Sequence, residues 1–409
     1  MSTTAIAAVQ GFCAPEFQEV ADEFERNFVE RGELGAAVAI AMDGRPVVDL
    51  WGGTADRESG RPWEKDTLVT VYSCSKGIAA TCMHILVDRG LLDVDAPVAR
   101  YWPEFAANGK EGVTVAMLLS HQAGLPFWME ALSPAALHDS GPVNAMLAAQ
   151  EPVWEPGTQC GYHGITIGHL EGELVRRITG RSIGRFLRDE LAGPLGADAW
   201  FGLPESEDAR VATLYLAEPD PTLRSALFDK LMSEPDWIGW KLINNSGGDG
   251  TPESANSRAR RAAEIPAAGG IANARALARI YTPLSLDGSV DGVRIVRPEA
   301  LPLMRTTRAA SSCDTILRIP TTYTLGFSKS WGARRLGPGE HVIIGEQAFG
   351  TPGLGGNMGF ADGQARMSFG YTMNRHGFGT GLNDRGQSLI DAAYRSVGFT
   401  TSDPGFWVR

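Results

Sequence analysis

Ser73 and Lys76, in the run Ser73-Cys74-Ser75-Lys76, are the two residues of this chain whose types and spacing best suit nucleophilic chemistry. Side chains three apart on a helix share a face, so a helix beginning at Ser73, behind the β-type run Thr67–Tyr72, lets the lysine reach the serine oxygen. Serine at neutral pH is a poor nucleophile and needs both a base and donors for the oxyanion it creates. Lys76 can act as that base only by losing or sharing a proton, through desolvation, a neighbouring cation or a second proton-carrying group. Tyr162 offers the second group, on a loop edge after the turn-rich Trp154-Glu155-Pro156-Gly157 and ahead of a helix starting near Thr166. A phenol held beside a lysine could exist partly as phenolate, take the serine proton and return it to the leaving group.

The remaining candidates are weaker. Gly353, Gly355 and Gly356 allow backbone to approach a substrate closely, and the run lacks the Gly-Lys-Ser/Thr ending of a phosphate loop. His121 reads as orienting a loop between helices, and His163, beside Tyr162, as a residue that either lines the cleft or packs. Neither has a carboxylate at a spacing that would make it a triad histidine. No Gly-x-Ser-x-Gly elbow places a serine between strand and helix, which favours the lysine-activated scheme. Phe127, Trp128, Trp237, Trp240 and Trp331 are the aromatic candidates for an acyl pocket or, equally, for the core.

With 409 residues, 43% hydrophobic and 21% charged, the chain is in the globular range and long enough for two domains or one with a large insertion. A net charge of −11 argues against a nucleic-acid partner, as does the shortage of lysine: Lys65, Lys76, Lys110, Lys230, Lys241 and Lys329 are the whole set. The basic cluster Arg258 to Arg261 reads as a solvated loop or helix end. Five scattered cysteines without metal-ligand spacing read as reduced thiols. The first residues show neither a basic n-region nor a long apolar core, and no stretch reaches transmembrane length. The expectation is a cytoplasmic protein without a membrane partner.

The elements that must position Ser73 follow from periodicity. Residues 35–41 and 47–51 read as a hairpin turning at Asp43-Gly44, and 76–92 as a helix with Ile78, Cys82, Ile85 and Leu86 on its apolar stripe. Helical patterns dominate the middle, notably 113–119, 144–149, 166–179 and 274–282. Residues 204–263 look like a long surface insertion of the kind that covers active sites. Strand signals return at 323–328, 341–344, 358–361 and 367–373, followed by a helix near 387–397. The expected fold is α/β: an antiparallel sheet flanked by helices and built from both termini (1–92 and 283–409), with a mainly helical domain (93–282) inserted.

Four motifs in order resemble those of the serine β-lactamase-like superfamily, which holds class C β-lactamases, D-alanyl-D-alanine carboxypeptidases and family VIII carboxylesterases. They are Ser73-Cys-Ser-Lys76 with Asp88-Arg-Gly-Leu-Leu-Asp-Val-Asp-Ala-Pro97, then Leu118-Leu-Ser-His-Gln-Ala-Gly-Leu125, Trp154-Glu-Pro-Gly157 leading to Tyr162, and Gly353-Leu-Gly-Gly356. The resemblance implies a cleft between sheet and helical domains, Ser73 as acylated nucleophile, and Lys76 with Tyr162 as the proton-transfer pair. It also implies an oxyanion hole from the backbone amides of Ser73 and Leu354; His163, Gly353 and Gly355 are the candidate substrate-binding residues, and the reaction needs no metal or organic cofactor.

Two departures bear on the substrate. Class C lactamases carry Tyr-x-Asn where this chain has Tyr162-His163-Gly164, and Lys-Thr-Gly where it has Thr351-Pro352-Gly353. The groups that bind a substrate's amide and carboxylate are both missing, and losing a cation opposite an anionic substrate costs a few kcal/mol. The resemblance therefore points to a carboxylesterase acting on small, short-chain neutral esters. The alternatives are a β-lactamase or D-amino-acid peptidase, an acyltransferase, and a sensor that is acylated without turning over.

Overall fold

The computed structural model describes residues 9–216, 225–247, 251–332, 339–402 and 405–409. Strands β1 (Gln10–Cys13), β2 (Gly35–Met42) and β3 (Arg45–Asp56) come from the first part of the chain, with helix α1 (Gln18–Glu30) between β1 and β2. Asp43 and Gly44 have φ of 49° and 79°, the left-handed pair that a two-residue hairpin turn requires. Helix α2 (Cys74–Asp88) follows, then α3 (Thr166–Thr179) and α4 (Ala274–Tyr281). Strands β4 (Phe349–Pro352), β5 (Met358–Asp362) and β6 (Met367–Met373) and helix α5 (Asp384–Ser396) close the chain.

The main sheet runs β1-β3-β2-β6-β5-β4, antiparallel throughout, with the short strand Arg61–Pro62 on β3 as its seventh member. β2 pairs with β6 from Ala36↔Met373 to Met42↔Met367, which joins the two ends of the chain. Alternation along β2 sorts the two faces. Val38 and Ile40 pack with Phe24 of α1 and Leu389 of α5, whereas Ala37 and Ala39 face the core shared with α2 and α4. Helix α4 lies very close on that second face: a Cβ at Gly370 would meet Ala274 O at 2.1 Å, and one at Gly359 the Tyr281 ring at 2.7 Å. Since α4 rests on β2, β5 and β6, the helical layer on the sheet begins ahead of residue 283.

Helix α2 is buried from Cys74 to Leu86, against α3 on one side and β4 on another, as a helix apolar on nearly all sides must be. The mixed α/β fold with an antiparallel sheet is the expected one, with local corrections. Residues 341–344 form no strand, only a bridge between Val342 and Trp331, while β4 was not anticipated because its Phe-Gly-Thr-Pro sequence has weak strand propensity. The described part of the 204–263 insertion holds short helices, including Ala226–Ser233, Lys241–Asn244 and Arg258–Ala262. Arg258 and Arg261 are paired with Asp208, but Arg260 is 1% exposed and does not belong to a solvated surface. Among the described residues, no helix is long and apolar enough to cross a membrane.

Candidate active site

The turn into α2 is set by Tyr72, whose φ of 45° is unusual for a residue with a side chain. Such a conformation costs about 1 kcal/mol or more and persists only where the surroundings hold it. Here the Tyr72 ring meets His376 edge-on at 4.9 Å and lies 5.1 Å from the Arg260 guanidinium, which donates to Ala268 O. The backbone bonds Cys74 N to Val71 O, Ser75 N to Tyr72 O and Lys76 N to Ser73 O then close the first turn. Ser73 takes the N-cap position without using its hydroxyl as a cap, so Oγ is left for chemistry. Ser75, by contrast, is buried and accepts from Gly270 N.

Lys76, 3% exposed, donates from Nζ to Ser73 Oγ (3.0 Å), Gly164 O (2.7 Å) and Ala267 O (3.0 Å). With two positions on the nitrogen directed at carbonyls, the Ser73-facing position carries a proton in the ammonium and a lone pair in the amine. Tyr162 OH donates to the same Ser73 Oγ at 2.7 Å. The Tyr162 backbone N–H donates to Asp314 Oδ1, a buried carboxylate that also receives Ile316 N and Leu317 N. Burial pushes the Tyr162 phenol well above its ordinary value, and the Asp314 charge raises it further against the bond to Ser73. Burial thus favours the neutral phenol over the phenolate at Tyr162.

The histidines pack. His163 is 0% exposed; its Nε2 accepts from Leu125 N at 3.0 Å, which leaves Nδ1 to donate to Gly161 O at 2.7 Å. His121 Nδ1 accepts from His163 N, and its ring lies against Tyr162 and Tyr323. Burial pulls His163 down to about 4 and holds His121 well below its usual value, so both are neutral braces of the Tyr162 loop. The expectation that His163 touches substrate is corrected: both ring nitrogens are committed to backbone.

Gly353 and Gly355 are corrected in the same way. A Cβ at Gly353 would sit 2.3 Å from Val71 O, and one at Gly355 (φ 87°) 2.4 Å from the His376 ring. Their bare backbone serves packing beneath the cleft, while Leu354 between them lines it. The backbone N–H groups of Ser73 and Leu354 make no turn or loop hydrogen bond among the described residues.

The cleft over Ser73 measures about 300 Å³. Its walls are Tyr72, Tyr162, Gly164, Trp331, Thr351 and Leu354, with Leu227, Leu242 and Ile243 from the insertion, and no charged side chain lines it among the described residues. The three aliphatic residues were not singled out from sequence, although two of them sit in the adjacent Leu242-Ile243 pair. Phe127 and Trp128 are core residues, and Trp331 alone of the aromatic candidates reaches the cleft. A cavity of about 600 Å³ between the β2–β3 hairpin and α4 is larger. It shares no residue with this cleft and holds none of the groups around Ser73.

Residues 21–393 match the Beta-lactamase family, and the chain belongs to it. It is a hydrolase of that fold with esterases among its relatives. The fold superposes on a family VIII carboxylesterase with a TM-score of 0.83 at 41% identity, covering 95% of this chain and 100% of that one. A penicillin-binding protein homologue from Caulobacter crescentus gives 0.82 at 37% identity, with coverage of 95% and 100%. Esterase/beta-lactamase LipL of Mycobacterium tuberculosis is 36% identical over 377 residues, spanning 90% of this chain and 83% of its own.

Proposed function

We propose that this protein is a serine carboxylesterase that hydrolyses small neutral esters through an acyl-enzyme on Ser73. The observation that carries the reading is one hydroxyl held 3.0 Å from an amine and 2.7 Å from a phenol, at the floor of a cleft without a charged wall. Ser73 attacks the acyl carbon while its proton passes to Lys76, the better base because burial disfavours the Tyr162 phenolate. The oxyanion is received by the amides of Ser73 and Leu354. Tyr162, already bonded to the serine oxygen, hands a proton to the departing alcohol and is reprotonated from Lys76. Water then repeats the attack on the acyl-enzyme and frees the acid.

Thr351 and Gly164 line the cleft where a lactamase would present a cation and an amide, which supports neutral esters over β-lactams. The test is to assay chromogenic acetate and butyrate esters with wild type and Ser73→Ala. Loss of at least a thousandfold is expected, and undiminished turnover removes Ser73 from the mechanism. Chromogenic cephalosporin hydrolysis is expected to be slow, and rapid turnover at micromolar substrate would favour the lactamase reading.

A further inference from the structure

Glu171, on α3, is 0% exposed, and neither carboxylate oxygen has a hydrogen-bond partner among the described residues. Helix α3 packs against α2. A Cβ built at Gly326 would lie 2.4 Å from Ala80 Cβ and 3.8 Å from Glu171 Oε1, so the carboxyl oxygen is no more than about 6 Å from Ala80 Cβ. Ala80 follows Lys76 by one turn on the same face of α2, and the Lys76 charge acts on the Glu171 carboxyl, which puts a buried acid without a hydrogen-bond partner near the residue that, in the proposed mechanism, must lose a proton to activate Ser73. Nothing in the scheme above uses it.

We propose that Glu171 is a positioning residue that sets the proton affinity of Lys76, and with it the pH at which Ser73 becomes nucleophilic. The inference rests on the serine-hydrolase reading of the site. Burial raises the Glu171 carboxyl to about 8, with the Lys76 charge opposing that rise. The charge state of each group therefore bears on that of the other. While Glu171 keeps its proton it places no charge below Lys76; once ionised, it favours the ammonium and postpones formation of the amine. The other groups facing the seam do not compete. Burial keeps the Cys82 thiol protonated and pulls His84, two turns past Lys76, down to about 4. Glu190, which acts on Cys82, is paired with Arg89 and Arg181, and Arg185 of the adjoining Ile183–Leu187 helix is paired with Asp189. The helices Val115–Leu119 and Ser140–Ala149 and the turn at Leu325–Gly326 carry no titratable side chain.

The experiment measures the pH dependence of Ser73 phosphonylation by a p-nitrophenyl phosphonate, with the modified residue located by mass spectrometry, in wild type, Glu171→Gln and Glu171→Met. Expected is a curve that coincides with wild type below about pH 7, where Glu171 is protonated, and whose upper limb is displaced to lower pH by about one unit in both variants, giving up to about tenfold faster labelling near pH 9 and an unchanged alkaline plateau. A limb within 0.2 unit of wild type in a folded variant overturns the role of Glu171, since a merely structural residue would leave the limb in place. Failure of wild-type Ser73 to be labelled at any pH instead overturns the esterase reading. If neither variant folds, infrared titration of the wild type decides. A protonated carboxyl band lost between about pH 7 and 9 supports the proposal, and its absence at pH 6 overturns it.

Discussion

Tyr162→Phe separates the two halves of the proton path. The substitution removes only the hydroxyl that lies 2.7 Å from Ser73 Oγ, and the ring keeps its packing on His121 at 5.2 Å and its place 4.7 Å from Lys76 Nζ. Lys76 stays bonded to Ser73 Oγ and can still accept the serine proton. In the proposed mechanism what is lost is the acid that protonates the leaving alcohol, an effect of about 10²- to 10⁴-fold, or about 3–5 kcal/mol of transition-state free energy. That loss depends on the leaving group. An alkoxide cannot depart unprotonated, whereas nitrophenolate can, so an ethyl or butyl ester should lose about 10³-fold in kcat/KM and the nitrophenyl ester of the same acid about tenfold. Parallel assays of both esters by pH-stat titration and absorbance give the comparison. Equal losses on the two esters, or alkyl-ester turnover within threefold of wild type, would show that the phenol does not deliver this proton.

Two further outcomes follow from the buried groups. His163→Ala should cost about 1–3 kcal/mol of stability, because Leu125 N and Gly161 O lose buried partners. Its KM for ester should remain within about twofold at temperatures where the variant is folded, and a tenfold rise in KM without a change in melting temperature would return His163 to the substrate. Glu171 should make stability depend on pH. Its folded carboxyl is raised from 4.5 to about 8, so across that window the unfolded chain has shed a proton that the fold retains, and stability falls as pH rises, levelling off above the folded value. The stake is on the order of 5 kcal/mol. Denaturant melts of wild type and Glu171→Gln from pH 4.5 to 9 should diverge steadily in favour of the variant, and parallel curves would mean that Glu171 is ionised throughout.

The parts of this fold that were legible in the sequence are those decided by neighbours along the chain. The Asp43-Gly44 turn, the α3 span and the Ser73–Lys76 relation depend on residues at most a few turns apart, where period and turn chemistry apply directly. β4 escaped notice because its strand is made by pairing with β5 and not by its own propensity. Arg260 was misread because a cluster of arginines looks alike whether it meets solvent or one member turns inward to the Tyr72 ring.

The site divides on the same principle, and the division says what kind of information a motif holds. Ser73, Lys76 and Tyr162 are legible because they are reactive types in an ordered set of motifs, and the structure brings all three to one oxygen. What makes them usable lies elsewhere in the chain: Asp314 fixing the Tyr162 backbone from 152 residues away, the carbonyls of Gly164 and Ala267 aiming the lysine, and the backbone of Gly353 fitted under Val71 O. None of these contributes a recognisable side chain to the reaction. They act through distance and desolvation, which one-dimensional spacing does not encode. Glu171 is the extreme case, since a glutamate in a helix reads as a solvated residue until the seam it fills is known. A search for further determinants of such sites should therefore begin with buried ionisable groups that lack partners, and only then with motifs.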